Sequence, residues 1–363
     1  MTLVRHSFWH LTPRPRHTAG LTSAGPPESP KPLHPPNFDN VDVQDPAPLT
    51  QIEVVKSLCG GVTKGAQVLL CKILRRPSVS DDAKHARLPV YFPKDGSSTI
   101  SFVVAKVFDP VFYPQSRSLD SNYTGDTVAS LDMSREASVF EFCYKEKMTG
   151  YPHIVPQYYG SWIGRVENSA ADGQNRYVSL ILMEYVEGKT IEQMCTRDKK
   201  TDFLVLPKAP VALHYDPEGQ RRGTMKRLDM TLESRMAIVT QVLKGIVAHV
   251  HKLIEHEEFQ PENLIVTLRR EGIDLPKPHV YLLDFNLSSI WYATKEGRQD
   301  PNNAILSLPN PPHPWMRCSI ESKIRFIGWI PRRWTNDDFT SWMIREFGPH
   351  TGLNQNYFTF SAE

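Results

Sequence analysis

The residues of this chain best able to do chemistry fall in two clusters: His256-Glu257-Glu258-Phe259-Gln260-Pro261-Glu262-Asn263, and Asp284-Phe285-Asn286. Each adjoins an apolar run, Leu264-Ile265-Val266 after the first and Val280-Tyr281-Leu282-Leu283 before the second, with a polar turn between. That pattern predicts a β-hairpin that brings its carboxylates and its amide to one end. Phosphoryl transfer needs such a set: one carboxylate to orient or accept the proton of an attacking hydroxyl, and an Asn and an Asp to hold the magnesium that neutralises nucleotide phosphates.

These clusters need elements to hold them. Upstream, Thr231 to His251 predicts a helix, because Leu232, Met236, Val239, Leu243, Ile246 and Val250 recur at spacings of four and three behind a Thr231 N-cap. Ile52–Leu58 and Val68–Leu74 predict two strands around Gly60, Gly61 and Gly65. This turn either lets backbone amides approach phosphates or is an ordinary Gly-Gly hairpin. Thr99–Phe108 predicts a further strand containing Lys106, and 131–148 a helix. On that helix Glu136 shares a face with Val139, Phe140 and Cys143, whereas Glu141 lies about 140° round at about 100° per residue. Glu136 is therefore the carboxylate expected to face inward. Two more strands, 155–162 and 177–185, are separated by the polar loop 165–176.

The order of these features resembles the protein-kinase-like fold. Val104-Ala105-Lys106 is similar to the V-A-I-K element, and Glu184-Tyr185-Val186-Glu187-Gly188 to the hinge between lobes. His256 to Asn263 is similar to the H-R-D-L-x-x-x-N loop, and Asp284-Phe285-Asn286 to D-F-G. Glu258 stands where the motif has Asp, Gln260 where Lys is usual, and Asn286 where Gly is usual. Over residues 51–348 the chain resembles uncharacterised fungal kinase-like proteins with a reduced C-terminal lobe. What the resemblance implies is an α+β, two-lobed fold: an N-lobe of an antiparallel sheet with one helix over 49–186, and a reduced, mainly helical C-lobe over 187–363.

The implied ligands are ATP and Mg2+. Lys106 and Glu136 would position the phosphates under Gly60 and Gly61, and the backbone from Met183 through Glu184 to Val186 would meet adenine. Asn263 and Asp284 would bind magnesium, with Glu258 acting on a hydroxyl of a protein Ser/Thr or of a small molecule. If Asn286 needs a positive φ, Asn tolerates it best after Gly. A Glu at 258 also fits a silent pseudokinase that binds nucleotide as an interaction module, because misplacing a base by about 1 Å costs roughly a hundredfold in rate.

The remaining sequence sets limits. A net charge of +2 over 363 residues argues against a nucleic-acid surface, and no apolar run reaches the roughly 20 residues a membrane span needs. Five scattered cysteines suggest reduced thiols in the cytoplasm or nucleus, with a mitochondrial address as the alternative because Arg5, Arg14 and Arg16 precede the first acid, Glu28. Ten of 30 prolines fall within residues 1–50, so 1–48 is expected to be a disordered tail, and the polar, basic stretch 196–228 an exposed insertion.

Overall fold

A computed structural model describes residues 8–13, 50–61, 64–75, 102–114, 124–166, 176–213, 226–294, 308–317 and 324–359, together with Gly297, Gln299 and Ile305. The fold is mixed α+β, with antiparallel sheets and four α-helices among the described residues. The chain divides into two compact units: Met1–Glu141 with Gln157–Tyr185, and Phe142–Pro156 with Val186–Glu363.

In the first unit, strands β1 (Phe8–Pro13), β2 (Thr50–Cys59), β3 (Gln67–Arg75), β4 (Phe102–Phe108), β5 (Tyr158–Val166) and β6 (Arg176–Glu184) close into an antiparallel barrel ordered β1-β2-β3-β4-β6-β5. Strand β1 corrects the expectation of a disordered tail. Phe8-Trp9-His10-Leu11-Thr12 is free of proline and rich in strand-favouring types, and its backbone pairs with both β2 and β5. The rest of 1–48 lies outside the described residues, as do 76–98 and most of the 165–176 loop. Alternate residues fill the barrel: Val103, Ala105 and Val107 of β4 pack with Ile52, Leu69, Cys71, Trp162, Leu180 and Leu182. Because β4 pairs with β3 on one side and β6 on the other, its even-numbered residues form a second face.

Helix α1 (Gly125–Lys145) supplies the stripe Ala129, Asp132, Met133, Glu136, Val139, Phe140 and Cys143, all buried. It starts six residues before the expected boundary, where the Thr124 hydroxyl accepts the amide of Thr127 and Asp126 sits in the first turn.

The second unit opens with β7 (Gly188–Thr190) and α2 (Ile191–Met194), the latter closed by a Thr190–Gln193 capping box. The short pairs β8 (Thr196–Arg197) with β9 (Leu204–Val205), and β10 (Val211–Ala212) with β11 (Arg227–Leu228), give strand pairing to the described parts of 196–228, most of whose residues are exposed or partly buried. Leu204, Leu213 and Leu228 are buried, and the Leu204 amide donates to Ile327 O at 2.9 Å, so the leucines anchor what the basic residues made look like a solvated loop. Residues 214–225 lie outside the described set.

Helix α3 (Leu232–His251) starts at its expected Thr231 cap. Met236, Val239, Leu243 and Val250 are buried as the spacing predicts, while Leu232 in the first turn is exposed. Its Arg235 is buried as well, and its guanidinium donates to the carbonyls of Met230, Gly328 and Trp329. The segment 142–156 packs here too: Leu282 N donates to Ile154 O at 2.6 Å, and His279 Nε2 meets His153 O at 3.0 Å.

Next come β12 (Ile254–Glu255), β13 (Leu264–Arg270), β14 (Ile273–Leu282), β15 (Ser289–Ile290) and α4 (Asn336–Phe347). Helix α4 is capped by Thr335 and Asp338. Strands thus accompany the helices throughout a unit expected to be mainly helical. The β13–β14 hairpin turns on Glu271 and Gly272, both at positive φ (51° and 78°), which suits the right-handed twist of its strands. On its other edge β13 pairs with β7, and a Cβ at Gly188 would lie 2.4 Å from Val266 O. We therefore expect Gly188→Val to destabilise the second unit by about 1–3 kcal/mol, read as a lower urea midpoint. An unchanged midpoint would show that β7 does not need this close approach.

Candidate functional site

In the first unit the chemistry centres on Lys106. It sits on the face of β4 turned away from the barrel core, 8% exposed, and its Nζ lies 2.5 Å from Oε2 of Glu136, itself 1% exposed. The Lys106 Nζ also lies over the Phe108 ring at 5.7 Å. A strand lysine normally reaches solvent. Here every residue of β4 after Phe102 is buried, which removes that option, and Glu136 supplies the countercharge from the middle of the helix stripe. Glu141, off the stripe, is only partly buried.

The glycine turn is used differently from what the sequence implies. Gly60 and Gly61 adopt φ of 140° and 143°, open to glycine alone. Gln67 folds its carboxamide across them: Oε1 accepts the Gly61 amide at 2.8 Å, and Nε2 donates to Gly61 O at 3.2 Å and Gly65 O at 2.7 Å. A Cβ at Gly60 would lie 2.2 Å from that Oε1. Gly65 N donates to Phe112 O at 2.9 Å. The Gly61 and Gly65 amides are therefore satisfied within the unit, and sequence reasoning missed Gln67 because its partners lie six and two residues away through a turn of unusual dihedrals.

At the end of β6, Met183 is buried and Glu184 partly so. The Glu184 amide donates to Gln157 O at 2.9 Å, while its carboxylate accepts the Gln157 amide at 3.0 Å. Of the positions expected to meet a base, Glu184 thus spends its N–H inside the sheet. Val186 begins the second unit.

In the second unit the two clusters do meet. The ladder runs to Leu264 opposite Leu282, and the next pair is joined by Leu283 N donating to Asn263 O at 2.8 Å. Asn263, in the 3-10 turn Pro261–Asn263, therefore stands beside the residue before Asp284. Its Nδ2 donates to Glu258 O at 3.1 Å, which engages the amide nitrogen and leaves Oδ1 as the atom of this side chain able to ligate a cation. His256 Nε2 meets Leu283 O at 2.9 Å, and its ring packs edge-on against the fully buried Phe285 at 4.8 Å. Ser288 Oγ closes the group on His256 O at 3.2 Å.

The left-handed residue of the second cluster is Asp284, at φ 64°, not Asn286. Asp is among the side chains that tolerate that region, so no glycine is demanded there. Asn286 instead buries its Oδ1 without a hydrogen-bond partner. Glu258 is half-buried, and its amide donates to His256 O at 2.8 Å.

Among the described residues no three His, Cys, Asp or Glu side chains gather into a metal cage. An Asn–Asp pair at one hairpin end still fits magnesium, which keeps several waters and takes one or two protein oxygens alongside substrate phosphates. No described helix is long and apolar enough to cross a membrane. Comparison with protein-family models finds none that matches this chain, and a search of curated proteins returns no significant match.

His249 lies behind this site, its ring 6.4 Å from Phe285. Burial first, and then the neighbouring His256 and His153, push its pKa from 6.5 down to about 3. Between those values the unfolded chain binds a proton that the native state refuses, so stability rises with pH from about 3 to 6.5. His279 and His313, also lowered by burial, act in the same direction.

Two outcomes follow. His249→Gln should remove close to one proton, about 1.4 kcal/mol per pH unit, from the acid slope of urea stability; an unaltered slope would place the titration elsewhere. Glu136→Leu should cost about 3–5 kcal/mol in unfolding free energy, because it strands a buried ammonium, whereas adding Lys106→Met, itself measured singly, should recover most of that loss. Additive losses in this double-mutant cycle would deny the coupling.

Proposed function

We propose that this chain is an ATP- and magnesium-dependent phosphotransferase of protein-kinase-like, two-lobed fold, the first unit being its N-lobe and the second its C-lobe. The acceptor is a hydroxyl of a protein Ser/Thr or of a small molecule. The observation that carries this reading is the Lys106–Glu136 pair, a charged couple buried on the outer face of a central strand. Such a pair adds little net stability over apolar residues of the same size, so its presence argues for use of the ammonium by an anion.

Each residue then has a task. Lys106, held by Glu136, binds the phosphates, and the chain from Met183 to Val186 offers backbone groups to adenine. Asn263 and Asp284 would hold magnesium, whose chemistry there is to neutralise charge on the transferring phosphoryl group. Glu258 orients the acceptor hydroxyl and takes its proton as the oxygen attacks. His256 transfers no proton in this scheme; by donating to Leu283 O it fixes the loop relative to Asp284.

A second reading has its own support. With the Gly61 amide already held by Gln67, and a Glu for the usual Asp at 258, the chain also fits a pseudokinase that binds nucleotide without turnover.

Transfer of label from γ-labelled ATP separates the two. The active reading expects incorporation that falls about 100-fold or more in Asp284→Ala, and equal incorporation by both proteins would remove the assigned mechanism. The pseudokinase reading expects no incorporation, even in Glu258→Asp, but a magnesium-dependent thermal shift with ATP that Lys106→Ala abolishes.

A further inference from the structure

The loop from His256 to Leu264 contains three glutamates and no cation. Charge that develops on a transferring phosphoryl group needs positive charge placed on its oxygens, and Gln260 is neutral where the kinase loop that this segment resembles usually carries Lys. The second unit brings a cation to that point from elsewhere in the chain. The Arg325 guanidinium donates to Oε1 of Gln260, and the next residue, Phe326, stacks on Phe259 with ring centroids 4.7 Å apart.

Two consecutive residues thus dock pairwise on two consecutive loop residues. The attachment is firm at its apolar end. Phe326 is 3% exposed, its carbonyl accepts the Ile330 amide at 2.9 Å, and with Phe259 it lines a small apolar pocket whose walls include Ile238, Val242, Leu264 and Phe339. Its polar end is open: Arg325 is exposed, and the side chain it bonds, Gln260, is neutral. Arg197, by contrast, is already committed to Glu192 at 2.6 Å.

We infer that Arg325 is the phosphate-contacting cation of the catalytic loop, delivered through space onto Gln260 and aimed at the γ-phosphate of the bound nucleotide. A planar guanidinium suits that task, since it can bond Gln260 with one edge and a phosphate oxygen with another. This inference rests on the phosphotransferase reading above, and nucleotide discrimination tests the two separately.

Titration calorimetry of the full chain with MgATP and with MgADP should show ATP bound more tightly. Arg325→Ala should lose about 10-fold in ATP affinity with ADP affinity unchanged, Arg325→Lys should lose less, and Gln260→Lys in the Arg325→Ala background should restore the preference. ATP affinity indifferent to Arg325→Ala overturns the inference. Equal losses for both nucleotides also overturn it, because they would make Arg325 a brace of the loop. If the wild-type chain binds neither nucleotide, the parent reading falls and this one with it, whereas nucleotide binding with an Arg325-insensitive ratio removes Arg325 alone.

Discussion

Leu283 contributes no side-chain chemistry, yet the second unit's candidate site depends on its backbone. Its N–H donates to Asn263 O and its C=O accepts from His256, so a single residue ties the loop before β13 to the aspartate after β14. Each bond is worth only about 0.5–1.5 kcal/mol net. Their effect is geometric: with the β13–β14 register fixed, residues twenty-one positions apart are held at one end of one hairpin. The left-handed turn at Asp284 and the burial of Phe285 follow from the same constraint, because the chain must leave the strand sharply while Phe285 drops against His256 and His249.

In the first unit the comparable constraint is the location of β4. A central strand with a barrel on one face and α1 near the other has no solvent-facing side, so a lysine at 106 must find an anion or unfold its surroundings. Glu136 is that anion. The pair is costly to break and of little net benefit to stability.

Aromatic stacking does for the loop what the ion pair does for the strand. Phe259 on Phe326 fixes the direction in which Gln260 points and brings Arg325 to it. The same use of buried bulk recurs at Arg235, whose guanidinium is held by carbonyls on either side of the fully buried Trp329.

Much of this was set by local pattern. Thr231 and the four-and-three spacing behind it define α3, the apolar runs flanking the polar turn define the β13–β14 hairpin, and the face shared with Val139, Phe140 and Cys143 marks Glu136 over Glu141, because each depends on the period of one element and its nearest caps. Pairings through space left no such trace. Gln67 across Gly60 and Gly61, Arg325 on Gln260, β1 closing the barrel beyond a proline-rich stretch, and Leu204 anchoring a segment that looked solvated were decided only by the tertiary structure, since contact between residues distant in the chain is determined by which surfaces packing brings together and not by the periodicity of either segment.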